Sequence, residues 1–201
     1  YYEQSMRRYR QTFDEIAALK LAAGTRHIDI GGGQMALLTK SMLGFNAYAG
    51  DVVDTAAGDV TAGEVPFHRV NLMDAELDMP DEPFALVTLL EVIEHIPVPP
   101  YITLRKLRRI MAPGGYLVMT TPNGFRIRNI LRMLTNREVL DIYRYPEGDQ
   151  PLGHQHEYTK RQLDWQLRHA GFEPLTLRHY LSGWRGASLP ARIMHWLTAP
   201  A

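Results

Sequence analysis

The sequence predicts an α/β fold in which a mostly parallel sheet carries helices on both faces. Short apolar runs alternate along the chain with amphipathic segments of helical spacing, and this alternation is typical of parallel strands joined by right-handed helical crossovers. The run RHIDIGGG at positions 26–33 predicts a buried strand that ends at three glycines and is followed at once by a helix. In an α/β sheet such a turn lies at the carboxyl edge of the strands, where ligands bind.

The other predicted elements follow in chain order. An amphipathic helix over residues 3–23 ends at Gly24 and precedes the first strand, residues 26–30. Further helices are predicted over residues 102–111, before the turn at Pro113, and over residues 163–170, before Gly171. The remaining strands are predicted at residues 45–50, 65–70, 84–90, 116–121 and 172–180.

The composition indicates one globular domain over residues 1–201. The 22 basic and 22 acidic side chains cancel, so no overall field recruits nucleic acid or an anionic membrane. The chain has no cysteine and no apolar run near the roughly 18 residues of a membrane span, so we expect a soluble, cytoplasmic protein without a thiolate metal site. Its partner is expected to be a small molecule, and the sequence leaves the oligomeric state open.

Polar residues at the ends of the first three predicted strands indicate a nucleoside ligand. Asp29 precedes the glycines, whose lack of a Cβ lets the backbone approach a ligand closely. Asp51 follows the second strand, 18 positions after Gly33, a spacing that suits hydrogen bonds to ribose hydroxyls. After the third strand, the side-chain amide of Asn71 could bind the adenine edge, and Leu72 could pack on the adenine ring. The candidate cofactor-binding residues from these patterns are Asp29, Gly31, Gly32, Gly33, Asp51, Asn71 and Leu72.

The segment EVIEHI after the fourth predicted strand supplies candidate catalytic groups. The spacing of Glu91, Glu94 and His95 predicts that all three lie on one helical face. His95 could act as a general base, or the two carboxylates and the imidazole could bind a hard divalent cation. A second histidine, His154, follows 59 positions after His95 in the segment GHQHEYT.

These motifs together resemble the class I S-adenosylmethionine-dependent methyltransferases, which have a Rossmann-like fold. The similarity is carried by HIDIGGG, GDV at 50–52, VNL at 70–72, FALVTLLEVIEHI at 84–96 and MAPGGYLVMTTPN at 111–123. The resemblance implies S-adenosylmethionine as the cofactor, and it implies that Glu91 helps to seat that cofactor. Met35 stands where the family usually has a further glycine.

The EVIEHI segment and the later histidine are also similar to the metal-using O-methyltransferases of ubiquinone biosynthesis and to the terminal 2′-O-methyltransferases of small RNAs. That resemblance implies a magnesium-type ion held by Glu91, Glu94, His95 and His154, with His156 as the nearest substitute. A metal-free pocket, in which the histidines line the acceptor site, is the other interpretation. A purely structural role for these residues is the third.

The stretch at residues 122–158 is too long for a simple connection and is predicted to form a lid over the substrate. Arginines alternate with apolar residues over 125–144, which favours an amphipathic helix with its arginines toward solvent. The arginines could instead hold a phosphate or carboxylate of the acceptor. The tail, residues 184–201, contains a short apolar helix candidate at 189–197, which suits an oligomer interface better than a membrane contact.

The expected function is methyl transfer from S-adenosylmethionine to a hydroxyl oxygen of a small molecule, either a phenol or a sugar of a glycan or glycolipid. Methylation of a terminal RNA ribose is a second interpretation, although a neutral chain lacks the basic surface that RNA binding usually needs. A catalytically silent cofactor-binding scaffold is the third interpretation, because Met35, Asn71 and Ala85 depart from the family pattern.

Overall fold

The computed structural model describes residues 2–52, 65–79, 82–139 and 153–179, with side chains from residue 6 onward. Five strands form one sheet, and every strand pair in it is parallel. The strands are β1 (Arg26–Ile30), β2 (Asn46–Asp51), β3 (Phe67–Arg69), β4 (Phe84–Leu90) and β5 (Met111–Thr120). Their spatial order is β3-β2-β1-β4-β5, so the chain changes direction across the sheet between β1 and β4. This is the switch point at which α/β sheets bind ligands.

Helices cover both faces of the sheet, as the sequence predicts. They are α1 (Tyr2–Ala18), α2 (Gln34–Leu43), α3 (Pro100–Arg109), α4 (Ile127–Leu134) and α5 (Lys160–His169). Successive side chains of a strand point to opposite faces. On β4, Leu86 and Leu90 therefore pack with Ile16 of α1, whereas Val87 packs on the other face with Leu104 of α3. No helix in the described part of the chain is long and apolar enough to cross a bilayer.

Several of the predicted elements differ from the structure. Helix α1 ends at Ala18 instead of residue 23, because the chain leaves the helix through Lys20, which has a φ of +52°. The predicted sixth strand does not form over residues 172–179. Phe172 and Leu177 pack against the main core instead, and Pro174 has no N–H to donate to a neighbouring strand.

The predicted turn at residues 113–115 lies within β5. Met111 pairs with Phe84 and Tyr116 pairs with Leu86, so the register shifts at a bulge instead of the chain turning before the strand. The predicted lid segment contains α4. Its residues 140–152, and the tail at 184–201, lie outside the described residues.

Candidate active site

The glycine loop after β1 has a backbone that only glycine adopts without strain. Gly31, Gly32 and Gly33 have φ values of +98°, +142° and +78°. A Cβ at Gly31 would overlap the side chain of Val92, which follows β4. The glycines therefore let the loop pack directly against the segment that carries the candidate catalytic groups.

Asp29 lies beneath this loop, and its carboxylate faces the protein interior. It is 3% exposed and accepts hydrogen bonds from the Met35 N–H at 2.9 Å and from the Thr88 hydroxyl at 2.5 Å. Burial raises the pKa of Asp29, while Thr88 and the amides at the start of α2 oppose that shift. In this structure Asp29 thus holds the glycine loop and the first turn of α2 in place.

Met35 does not crowd the loop. Its side chain is fully buried and belongs to the apolar cluster that includes Ile16, Phe45 and Leu86. The Met35 side chain, which stands where the family usually has a glycine, therefore lies in the core between α1 and the sheet.

The remaining predicted cofactor residues lie at the carboxyl ends of β2 and β3. Asp51 ends β2, and its carboxylate accepts a hydrogen bond from the Val52 N–H at 2.6 Å. Asn71 accepts from the Met73 N–H at 3.0 Å and donates to Asp74 at 2.8 Å, so its amide closes a local turn. Leu72 lies in the main core.

Glu91 precedes the short turn that carries Glu94 and His95, the other two candidate catalytic groups of the EVIEHI segment. It has a φ of +57°, and only a three-residue 3-10 turn, Ile93–His95, follows it. The prediction that Glu91, Glu94 and His95 share one helical face is therefore wrong. Glu91 forms an ion pair of 3.2 Å with Arg8 of α1, which brings the N-terminal helix to the end of β4.

Glu94, His95 and His154 come together. One potential ligand atom from each lies within 4.8 Å of the others, and the two imidazole rings meet edge to face with centroids 4.7 Å apart. The backbone carbonyl of Glu94 accepts the Gln155 N–H at 2.7 Å. This bond brings the GHQHEYT segment onto the 3-10 turn, so two segments far apart in the chain form one cluster.

The Glu94 side chain is fully buried, and its environment favours the neutral acid. Burial, and then the charge of Glu91, raise the pKa of Glu94 to about 8. Its Oε2 accepts the Thr121 hydroxyl at 3.0 Å, whereas its Oε1 has no hydrogen-bond partner in the described part of the chain. A buried oxygen without a partner is costly, so this atom is suited to a ligand.

The sequence did not predict a role for Glu157, which contacts His154 of the cluster. Its buried carboxylate is paired with Arg126, accepts the Asn129 amide at 2.6 Å and lies 3.4 Å from His154 Nδ1. Its position two residues before Thr159 in a polar run gave no signal of burial. Arg8 was missed for a similar reason, since its partner Glu91 is 83 positions away in the chain.

The parallel sheet, with a glycine loop at its switch point, defines an α/β protein of the nucleotide-binding type. A family model described as a methyltransferase domain matches residues 1–177, which is most of the chain. The chain therefore belongs to the S-adenosylmethionine-dependent methyltransferase family, and the cofactor that this family implies is S-adenosylmethionine.

Solved structures of other proteins have the same fold. The 4+2 cyclase SpnF matches with a TM-score of 0.60 and 26% identity, over 84% of this chain and 58% of the cyclase, so the chain spans less than two thirds of that protein. An S-adenosylmethionine-dependent methyltransferase from Methanosarcina mazei has a TM-score of 0.59 and 20% identity, over 77% of this chain and 82% of its own. A putative methyltransferase from Bacillus halodurans has a TM-score of 0.59 and 17% identity, over 80% and 68%. No curated protein sequence matches the chain.

Proposed function

We propose that this protein transfers the methyl group of S-adenosylmethionine to a hydroxyl oxygen of a small molecule, a phenol or a sugar of a glycan or glycolipid. The observation that supports the proposal most is the contact between His95 and His154 beside the buried Glu94. This cluster follows β4 directly, next to the glycine loop at the switch point.

The chemistry needs alignment and removal of one proton. The acceptor oxygen forms a bond to the methyl carbon while the carbon–sulfur bond of the sulfonium breaks, which leaves neutral S-adenosylhomocysteine. The acceptor proton must leave to a base. Glu94 is a poor base at neutral pH, because its raised pKa of about 8 keeps it protonated. The imidazoles of His95 and His154 are therefore assigned as the proton acceptors.

Asp51 is assigned to the ribose and the glycine loop to the methionyl part of the cofactor. Asp51 ends β2, one strand away from the loop after β1. Because β4 lies on the other side of β1 from β2, the methionyl end of such a ligand would face the segment after β4, which carries His95. Asp29 is assigned a positioning role, because its carboxylate already bonds Thr88 and the start of α2.

A screen with methyl-labelled S-adenosylmethionine tests the proposal. Phenols and sugars are offered as acceptors, with matched amines as the comparison. We expect labelled ethers, and we expect His95→Ala and His154→Ala to lower the rate by about 10²- to 10⁴-fold without loss of S-adenosylhomocysteine binding. Labelling of amines alone, or full activity in both variants, would contradict the assignment.

A divalent cation is a second candidate at the same cluster. Glu94, His95 and His154 offer one carboxylate oxygen and two imidazole nitrogens within 4.8 Å, and the unpartnered Oε1 of Glu94 fits a cation ligand. We exclude Glu91 from this set, because it is paired with Arg8. A bound cation would lower the pKa of an acceptor hydroxyl. Glu94, His95 and His154 would hold it.

Chelation distinguishes the two forms of the proposal. With a cation, EDTA abolishes turnover, Mg²⁺ or Mn²⁺ restores it, and Mn²⁺ binding measured by paramagnetic relaxation is lost in Glu94→Gln. Full turnover in EDTA, together with no Mn²⁺ binding, would exclude the cation and support the metal-free form, in which the histidines accept the proton.

A further inference from the structure

Helix α4 is oriented opposite to an ordinary amphipathic helix. Its buried residue is the polar Asn129, which is fully buried. The large apolar side chains with exposed fractions of 40% to 78% are Ile130, Leu131, Met133 and Leu134, and Phe125 just before the helix is 71% exposed. Of the arginines that the sequence predicts toward solvent, Arg128 and Arg137 are exposed, whereas Arg126 is partly buried against Glu157.

A polar contact determines this orientation. Asn129 donates to Glu157 at 2.6 Å and to the Gly124 carbonyl at 3.0 Å, and Arg126 at the start of the helix pairs with the same carboxylate. Breaking these bonds would leave the buried Glu157 carboxylate with only the 3.4 Å contact to His154 Nδ1, and a poorly satisfied buried charge is costly. The apolar stripe is therefore held away from the core.

The side chains along this stripe are positively charged or neutral, and the first acidic residue after it is Glu138. Residues 125–137 contain four arginines and no acidic residue. Arg126 forms an ion pair with Glu157. The other three arginines, Arg128, Arg132 and Arg137, accompany the exposed apolar side chains in this segment. A helix with an exposed apolar stripe and flanking arginines suits the boundary between lipid headgroups and acyl chains.

We propose that Phe125 and α4 form a docking surface for an anionic lipid bilayer. The apolar side chains would enter the headgroup boundary while the guanidinium groups pair with lipid phosphates. A second copy of the chain fits less well, since a two-fold contact sets the same patch against itself and would oppose like charges. The docking surface is independent of the methyl acceptor and of the cation.

Vesicle co-sedimentation of the full chain tests this surface. We expect binding to vesicles of phosphatidylcholine mixed with phosphatidylglycerol, and binding weaker by about fivefold or more to phosphatidylcholine alone. The double variant Met133→Ser with Leu134→Ser should abolish binding, and Arg128→Glu should weaken it by about fivefold or more. Met42→Ser is the matched control, because Met42 is 65% exposed on α2 and should leave binding unchanged.

Three outcomes would overturn the proposal. The wild-type chain could fail to sediment with anionic vesicles. Binding could persist in the double variant, which would place the membrane contact elsewhere. A dimer by light scattering that the double variant dissociates, without vesicle binding, would assign the stripe to a second copy. S-adenosylhomocysteine binding by every variant verifies that it is folded.

Discussion

The carboxylate of Glu157 lies 3.4 Å from Nδ1 of His154, and Asn129 of α4 donates to the other oxygen of that carboxylate at 2.6 Å. With its proton on Nδ1, His154 donates to Glu157 and presents the lone pair of Nε2 as an acceptor. A carboxylate partner on one ring nitrogen determines which nitrogen carries the proton. Glu157 thus connects α4 to the histidine that is assigned as a base.

Glu157→Gln should lower the rate of methyl transfer. The amide cannot hold the His154 proton as a carboxylate does, and loss of such a supporting partner typically costs about 10- to 100-fold in activity. S-adenosylhomocysteine affinity should stay the same, because Glu157 contacts Arg126, Asn129 and His154, which are not assigned to the cofactor. Steady-state rates with the acceptor from the screen measure this effect. Glu173→Gln, at an exposed acid, is the control; equal rates for Glu157→Gln and this control would refute the role of Glu157.

Asn129→Ala should destabilise the fold. The substitution removes a hydrogen bond from the buried carboxylate of Glu157, and an unsatisfied buried group costs about 1 to 3 kcal/mol. Urea unfolding measures the free energy of unfolding. Gln11→Ala, at an exposed position of α1, should change it by less than about 0.5 kcal/mol. A matching small change for Asn129→Ala would mean that the α4 contact contributes little.

Stability should fall below neutral pH because of His27. This fully buried imidazole lies between the hydroxyls of Thr39 and Thr88, at 2.8 and 2.9 Å, and burial lowers the pKa of His27 to about 3. The unfolded imidazole binds a proton near pH 6.5. Between these values the unfolded chain therefore holds more protons, and the free energy of unfolding falls as the pH falls.

Comparison with His27→Gln isolates this effect, since other groups titrate equally in both proteins. Between pH 6.5 and pH 5 the wild type should lose about 2 kcal/mol more than this variant. Urea titrations at the two pH values provide the measurement. His179→Gln, at an exposed histidine, should show the same change in the free energy of unfolding with pH as the wild type. If His27→Gln also shows that change, His27 does not cause the pH dependence.

Asp51→Asn should weaken cofactor binding. A carboxylate that accepts from ribose hydroxyls contributes charge-assisted hydrogen bonds of about 1.5 to 3 kcal/mol each, so the Kd for S-adenosylhomocysteine should rise by about tenfold or more. Asp78→Asn, at an exposed acid, is the control. An unchanged Kd in Asp51→Asn would remove Asp51 from the ribose site.

Local patterns located all five strands, most clearly β4, in which every residue except Thr88 is apolar. β1 and β4 have the predicted bounds. The alternating apolar residues at 172–179 misled the prediction, since the same pattern serves a segment that packs on the core without pairing. Membership of a sheet depends on the neighbouring strand, which a local pattern does not contain.

The candidate site was predicted in part. His95 and His154 were named from their motifs, and the structure brings them together. The inverted orientation of α4 was not predictable, because it depends on the contact between Asn129 and Glu157, 28 positions apart. Hydrophobic periodicity gives the apolar side of a helix but not the direction in which that side points.

Calorimetric titration with S-adenosylhomocysteine tests whether the glycine loop, at the switch point between β1 and β4, is a cofactor site. This product binds without reacting, so the heat reports binding alone. We expect one site per chain with a Kd of about 1 to 100 μM, equivalent to about −8 to −5.5 kcal/mol. No binding heat at millimolar ligand, from a protein shown to be folded, would contradict it.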